Sequence, residues 1–166
     1  MSLNNIQFSD YLCQHLYTKS LIITTDVSKT GTAKIKIESL GGNKKKILFL
    51  VNNSQDKFLG NEEMTLLTNL ITACQLSMED IALVNYHNSG SINYKDLIDY
   101  FQSGKILLFG ISTTELGLPF VVPDFQIQSY TEKLFMSAPA LKELLSDKNL
   151  KKELWICLKK IFLINK

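Results

Sequence analysis

Three uninterrupted apolar runs, Ile47-Leu48-Phe49-Leu50-Val51, Ile81-Ala82-Leu83-Val84 and Ile106-Leu107-Leu108-Phe109, punctuate an otherwise amphipathic chain. A strand with one wet face alternates apolar and polar residues, whereas a continuous run marks a strand covered on both faces. Between the runs the apolar spacing changes to three and four. Residues 62–76 place Met64, Leu67, Leu70, Ile71 and Cys74 on one helical face, with Asn61 as the expected N-cap and acidic residues in the first turn. Residues 94–102 bring Leu97, Ile98 and Phe101 together, and Gly104 is expected to end that helix. The order is β-α-β-α-β, which implies a parallel sheet with crossover helices on both faces.

The flanks are less regular. Residues 6–17 predict a short amphipathic helix with Ile6, Phe8, Leu12, Leu16 and Tyr17 on its apolar side, and the β-branched run at 21–25 predicts a strand. A polar stretch, 26–46, follows, in which the alternating Ala33, Ile35 and Ile37 allow a weak edge strand. Beyond the third run, 111–124 is irregular with Gly117, Pro119 and Pro123, and a further strand is expected within 125–135. Two helices close the chain. One is expected to begin at Pro139, and the other runs from Lys148 behind Ser146 or Asp147 as cap, with Leu150, Leu154, Cys157, Leu158 and Ile161 inward. The expected fold is a single α/β domain, a three-layer α/β/α arrangement around a short, mostly parallel four-stranded central sheet. Residues 46–166 form its core, and residues 1–45 pack on it or extend from it as an N-terminal amphipathic helix, strand and polar loop.

Bulk composition adds limits. With 166 residues, 45% hydrophobic and 20% charged, the chain is long enough to bury a core without staples, and a net charge of +2 gives no basic excess of the kind that marks nucleic-acid binders. Cys13, Cys74 and Cys157 lie far apart among apolar residues, with no paired spacing and no His/Cys cluster. That predicts core thiols in a reducing compartment, no metal and no disulfide framework. The amino terminus lacks a basic-then-apolar leader, and no apolar run approaches membrane length, so a cytoplasmic protein without a membrane partner is expected.

In a parallel sheet, ligands gather beyond the carboxyl ends of the strands. The candidates there are Asn52, Asn53 and Asp56 after the first run, Asn85 and His87 after the second, and Ser112 after the third. They are amides, hydroxyls and a carboxylate, which hold ligands by hydrogen bonding but also suit any loop that faces water. His87 has the titration range of a general base, yet Asp80, Asp96 and Asp99 read as a cap and a solvated helix face rather than as its partners, so a surface role is expected for it. His15 reads as a surface or interface residue. No dinucleotide or phosphate loop, nucleophile elbow or zinc-protease motif occurs, and no catalytic residue or cofactor is assigned. Lys44-Lys45-Lys46 and lysines 148, 151, 152, 159, 160 and 166 offer phosphate contacts only if they share a face, and ordinary solvation is the stronger expectation.

From Lys46 onward the element order resembles the uracil-DNA glycosylase superfamily, a three-layer fold with a short parallel sheet. That family carries a water-activating acid after the first strand, often in Gly-Gln-Asp-Pro-Tyr, and a late histidine before Ser-Pro. Here the first loop reads Asn52-Asn53-Ser54-Gln55-Asp56-Lys57-Phe58, and the late segment reads Phe135-Met136-Ser137-Ala138-Pro139, with methionine near the histidine position. A site of this kind would lack the cation that steadies the departing uracil anion. The closing segment, Ser137-Ala138-Pro139-Ala140-Leu141 through Leu144, Asp147 and Leu154-Trp155, is similar to the end of the psi subunits of bacterial DNA polymerase III. Those are non-catalytic clamp-loader accessory proteins of related fold. The resemblance implies a protein-binding subunit acting in DNA replication, with Phe8, Leu12, Leu16 and Tyr17 on the partner-binding segment and clamp-loader or other replisome subunits as partners. A divergent uracil-DNA glycosylase-like or nucleotide-handling hydrolase using Asn52, Asn53, Asp56 and His87 is the alternative, and nucleic-acid binding without catalysis a third.

Overall fold

The computed structural model describes residues 37–90 and 92–162. The helix expected at 6–17, with Phe8, Leu12, Leu16, Tyr17, Cys13 and His15, and the strand at 21–25 lie outside the described residues.

The three apolar runs form β1 (Ile47–Val51), β2 (Ile81–Asn85) and β3 (Lys105–Phe109). Every residue of β1 and β2 is buried, as the unbroken apolar sequences require. Ile47 stands opposite both Ile81 and Lys105, so β1 lies between β2 and β3 and pairs in parallel with each. β5 (Lys133–Ala138) runs parallel to β3, and β4 (Ile127–Tyr130) pairs antiparallel with β5, giving the order β2-β1-β3-β5-β4. The sheet is mostly parallel, as expected, but has five strands rather than four. The stretch read as one strand at 125–135 turns back on itself at Thr131 and Glu132, both left-handed with φ of 48° and 62°. Neither is the glycine or asparagine that usually announces such a turn, so it leaves no mark in the sequence.

Strand alternation divides the core. Ile47, Phe49, Val51, Leu107, Phe109 and Met136 meet α1 (Asn61–Ala73), α3 (Leu141–Ser146) and α4 (Lys148–Phe162) on one face. Leu48, Leu50, Ile106, Leu108 and Phe135 meet α2 (Tyr94–Phe101) and the irregular stretch after β3 on the other, where Ile111, Leu116, Leu118 and Val122 are buried. That irregular stretch therefore does the covering work of a helix. The Phe49 and Phe109 rings stack at 5.7 Å across β1 and β3.

Helix ends differ from expectation in instructive ways. Gly60, not Asn61, is the N-cap of α1, and Gln102, left-handed at φ 52°, closes α2 two residues before Gly104. α3 starts at Leu141 rather than Pro139, since Ala140 is still extended. Asp147 caps α4 as predicted, its Oδ1 accepting from the Asn149 N–H at 2.7 Å. At the far end of α4, the Lys105 ammonium donates to the Ile161 carbonyl at 3.1 Å and lies over the Phe162 ring, serving the negative end of the helix while burial pushes its pKa down. The β2 edge is closed by Leu40, which exchanges two 2.8 Å hydrogen bonds with Leu83. No helix among the described residues is long and apolar enough to cross a membrane.

Candidate functional site

Because β1 connects to β2 on one side while β3 lies on its other side, the tips of β1 and β3 are where a crevice opens. Two cavities of about 430 Å³ each occupy this carboxyl edge. They flank a close contact: Gly110, at φ +65°, packs so tightly that a Cβ there would stand 2.9 Å from the Ala140 Cβ. The first cavity is bounded by the 52–56 loop, the start of α1 and the start of α3; the second by 110–114, 121–124 and 137–140.

The first loop is held by an amide network. Asn85 is buried at 2% exposure at the end of β2. Its Oδ1 accepts from the Asn53 and His87 N–H groups at 3.1 and 3.2 Å, and its Nδ2 donates to the carbonyls of Asn53, Asp56 and Lys57 at 2.7, 3.1 and 3.2 Å. Every hydrogen-bonding position of that side chain is engaged within the protein. Asn53 accepts at Oδ1 from the Gln55 and Asp56 N–H groups and donates at Nδ2 to Glu63 at 3.0 Å. Glu63 also accepts from the Gly60 N–H at 3.2 Å, so the positive end of α1 already has its anion.

Of the residues singled out from sequence, Asn52, Asn53 and Asp56 line the first cavity and Ser112 lines the second. Asn85 lies behind the first as the stitch between loops. His87 is exposed in a single 3₁₀ turn, Tyr86–Ser89, contributes its backbone N–H to Asn85, and belongs to the lining of neither cavity. The Ser112 hydroxyl accepts from the Glu115 N–H while the Glu115 carboxylate accepts from the Ser112 N–H, a closed loop of the capping-box type.

No family model matches the chain, and no curated protein matches it. What the site can do therefore rests on its chemistry.

Among the described residues the first cavity is lined by Asp56, Glu62 and Glu63 against one cation, Lys142. The second contains Asp124 and Glu143 and, among the described residues, no cation in its lining. Such a surface repels phosphate and favours neutral or cationic groups. In the second cavity Ser137 donates to Asp124 at 2.8 Å, and the neighbouring Phe125 is held left-handed at φ 58° by its N–H on the Ser137 carbonyl and by the Cys157 thiol on its own carbonyl. Burial pushes the Cys157 and Cys74 thiols up, which keeps them protonated and unreactive. Among the described residues no group of three or more His, Cys, Asp and Glu is placed to hold a metal.

Sequence reasoning missed Glu62, Glu63, Lys142, Asp124, Ser137 and Glu143 as cavity residues. Glu62 and Glu63 were legible only as a helix start, and Ser137 meets Asp124 through an isolated parallel bridge outside the β4–β5 register, which no local pattern announces. Elsewhere, Lys44 pairs with Glu79 and Lys45 with Asp80, so two of the three consecutive lysines are engaged within the protein.

Proposed function

We propose that the chain is a non-catalytic accessory or adaptor subunit of the psi type, acting through protein contacts in DNA replication, with clamp-loader or other replisome subunits as partners. The observation that carries this reading is how the carboxyl edge is used. The side chains of Asn53 and Asn85 are committed to partners within the protein, the N-terminus of α1 is taken by Glu63, and among the described residues the first cavity presents three carboxylates to one lysine. Acyl, phosphoryl and base-release reactions all develop negative charge, which such a lining destabilises. The similarity of residues 137–155 to the end of psi subunits supplies the class. Affinity purification of the tagged chain from its native host, with quantitative mass spectrometry, tests it: clamp-loader subunits are expected to be enriched, and repeated recovery without any replication protein refutes it.

A second reading, a divergent glycosylase or nucleotide-handling hydrolase, draws on the cavity beside Asn52, Asn53 and Asp56. Base release from uracil-containing single-stranded DNA, abolished in Asp56→Asn, would establish it over the adaptor, with His87→Ala, outside both cavities, as the control expected to leave that release unchanged.

A further inference from the structure

The outward face of α4 carries a surface that the carboxyl-edge cavities do not involve. At 3.6 residues per turn, Lys148, Lys152, Ile156 and Lys159 project within an arc of about 80°, flanked by Trp155 and Lys160, along roughly 18 Å of helix. The opposite face buries Leu154, Cys157, Leu158 and Ile161 against the sheet. Ile156 is 54% exposed among these lysines. The Lys159 ammonium lies 5.3 Å from the centre of the half-buried Trp155 ring. Glu153 is the one acid of the exposed face and stands at its margin. Among the described residues none of Lys148, Lys152, Lys159 and Lys160 forms an ion pair.

A lone exposed isoleucine is ordinary, and exposed lysines serve solubility. Their combination is harder to account for by either. A β-branched residue at a solvent-facing helical position improves neither helix propensity nor solubility, and beside it stand four cations that form no ion pair among the described residues, a net positive face with Glu153 at its margin. We infer that this face docks an acidic peptide segment of a partner protein, one that also presents an apolar side chain to Ile156 and Trp155. The inference rests on the adaptor reading, to which it adds the partner's chemistry. Charge complementarity selects acidic residues, and the branched, aliphatic Ile156 with a Trp155 ring already half-buried and covered by Lys159 suits an apolar side chain of a peptide better than the flat faces of nucleic-acid bases.

Fluorescence anisotropy on the full chain tests this with three labelled probes: a short peptide of alternating glutamate and leucine, the same peptide with alanine for leucine, and oligothymidylate. The glutamate-leucine peptide is expected to bind tightest. Lys152→Ala with Lys159→Ala should weaken it roughly fivefold to tenfold. Ile156→Ser should weaken it roughly fivefold while Ile156→Leu restores it. All these positions are exposed, so far-ultraviolet circular dichroism is expected to match the parent chain. Equal binding by Ile156→Ser, no preference for leucine over alanine, or tighter binding of oligothymidylate overturns the inference. The adaptor reading is scored separately by the co-purification above, so docking can fail while replication partners are still recovered.

Discussion

Replacing Asn85 by alanine removes five hydrogen bonds at once: two accepted from the Asn53 and His87 N–H groups and three donated to the carbonyls of Asn53, Asp56 and Lys57. A net hydrogen bond contributes about 1 kcal/mol, and the groups on the 52–57 loop are exposed enough to recover part of this from water, which places the loss at about 3 kcal/mol. For a chain of 166 residues that corresponds to a fall in Tm of roughly 6–12 °C. Urea unfolding followed by Trp155 fluorescence and circular dichroism measures it. Asn85→Asp sharpens the test, because a carboxylate keeps the two acceptor contacts but turns an oxygen toward three carbonyls. Its folded-state pKa must then lie above the unfolded value, so the folded form binds more protons and stability falls as pH rises through the unfolded pKa toward the folded one. A variant Asn85→Ala within 1 kcal/mol or so of the parent, or an Asn85→Asp chain equally stable at about pH 4 and pH 8, refutes the view that this amide holds the carboxyl edge together.

Gly110→Ala forces a Cβ to 2.9 Å from the Ala140 Cβ at φ +65°, and a loss of about 2 kcal/mol or more is expected; adding Ala140→Gly should recover only the steric part, as read by chemical denaturation. Thr131→Asn with Glu132→Gly supplies residues suited to the left-handed turn between β4 and β5 and should raise stability by about 1 kcal/mol, an unchanged or lower unfolding midpoint counting against the turn geometry. The Asp80 carboxyl is held below the usual range, first by the Ser77 N–H and then by Lys45 and the Ser77 hydroxyl. Its stabilisation is therefore complete above the unfolded pKa and lost as pH falls through the folded one, so Asp80→Asn should flatten the acid side of a Tm-against-pH profile below about pH 4.

Much of the core was legible because burial on both faces demands continuous apolar runs, and β1, β2 and β3 stand where those runs are. The helix expected at 62–76, observed at Asn61–Ala73, and the cap at Asp147 were legible because local chemistry matches the final structure, although the helix stops three residues early. The extra strand was not, since Ile127-Gln128-Ser129-Tyr130 alternates too briefly to stand out and its turn lacks the usual residues. The candidate site was readable as a location but not as an arrangement. Nothing local in Asn85 distinguishes a buried stitch from a ligand-facing amide, because its partners lie about 30 residues earlier in the chain. His87 drew attention through its chemistry alone, and its position was decided by a 3₁₀ turn with no clear sequence mark.

The Thr131-Glu132 reversal also bears on the order in which the molecule assembles. β4 and β5 are neighbours in the chain and need only that tight reversal to meet, whereas each parallel pair must wait for an intervening crossover to collapse and close a long loop. The edge of the sheet should therefore gain protection before its centre, although its centre is the more deeply buried. Pulse-labelled hydrogen exchange during refolding would reveal Gln128 and Lys133 amides protected ahead of those in β1, and the reverse order would mean that apolar collapse around Phe49 and Phe109, not chain proximity, starts the process.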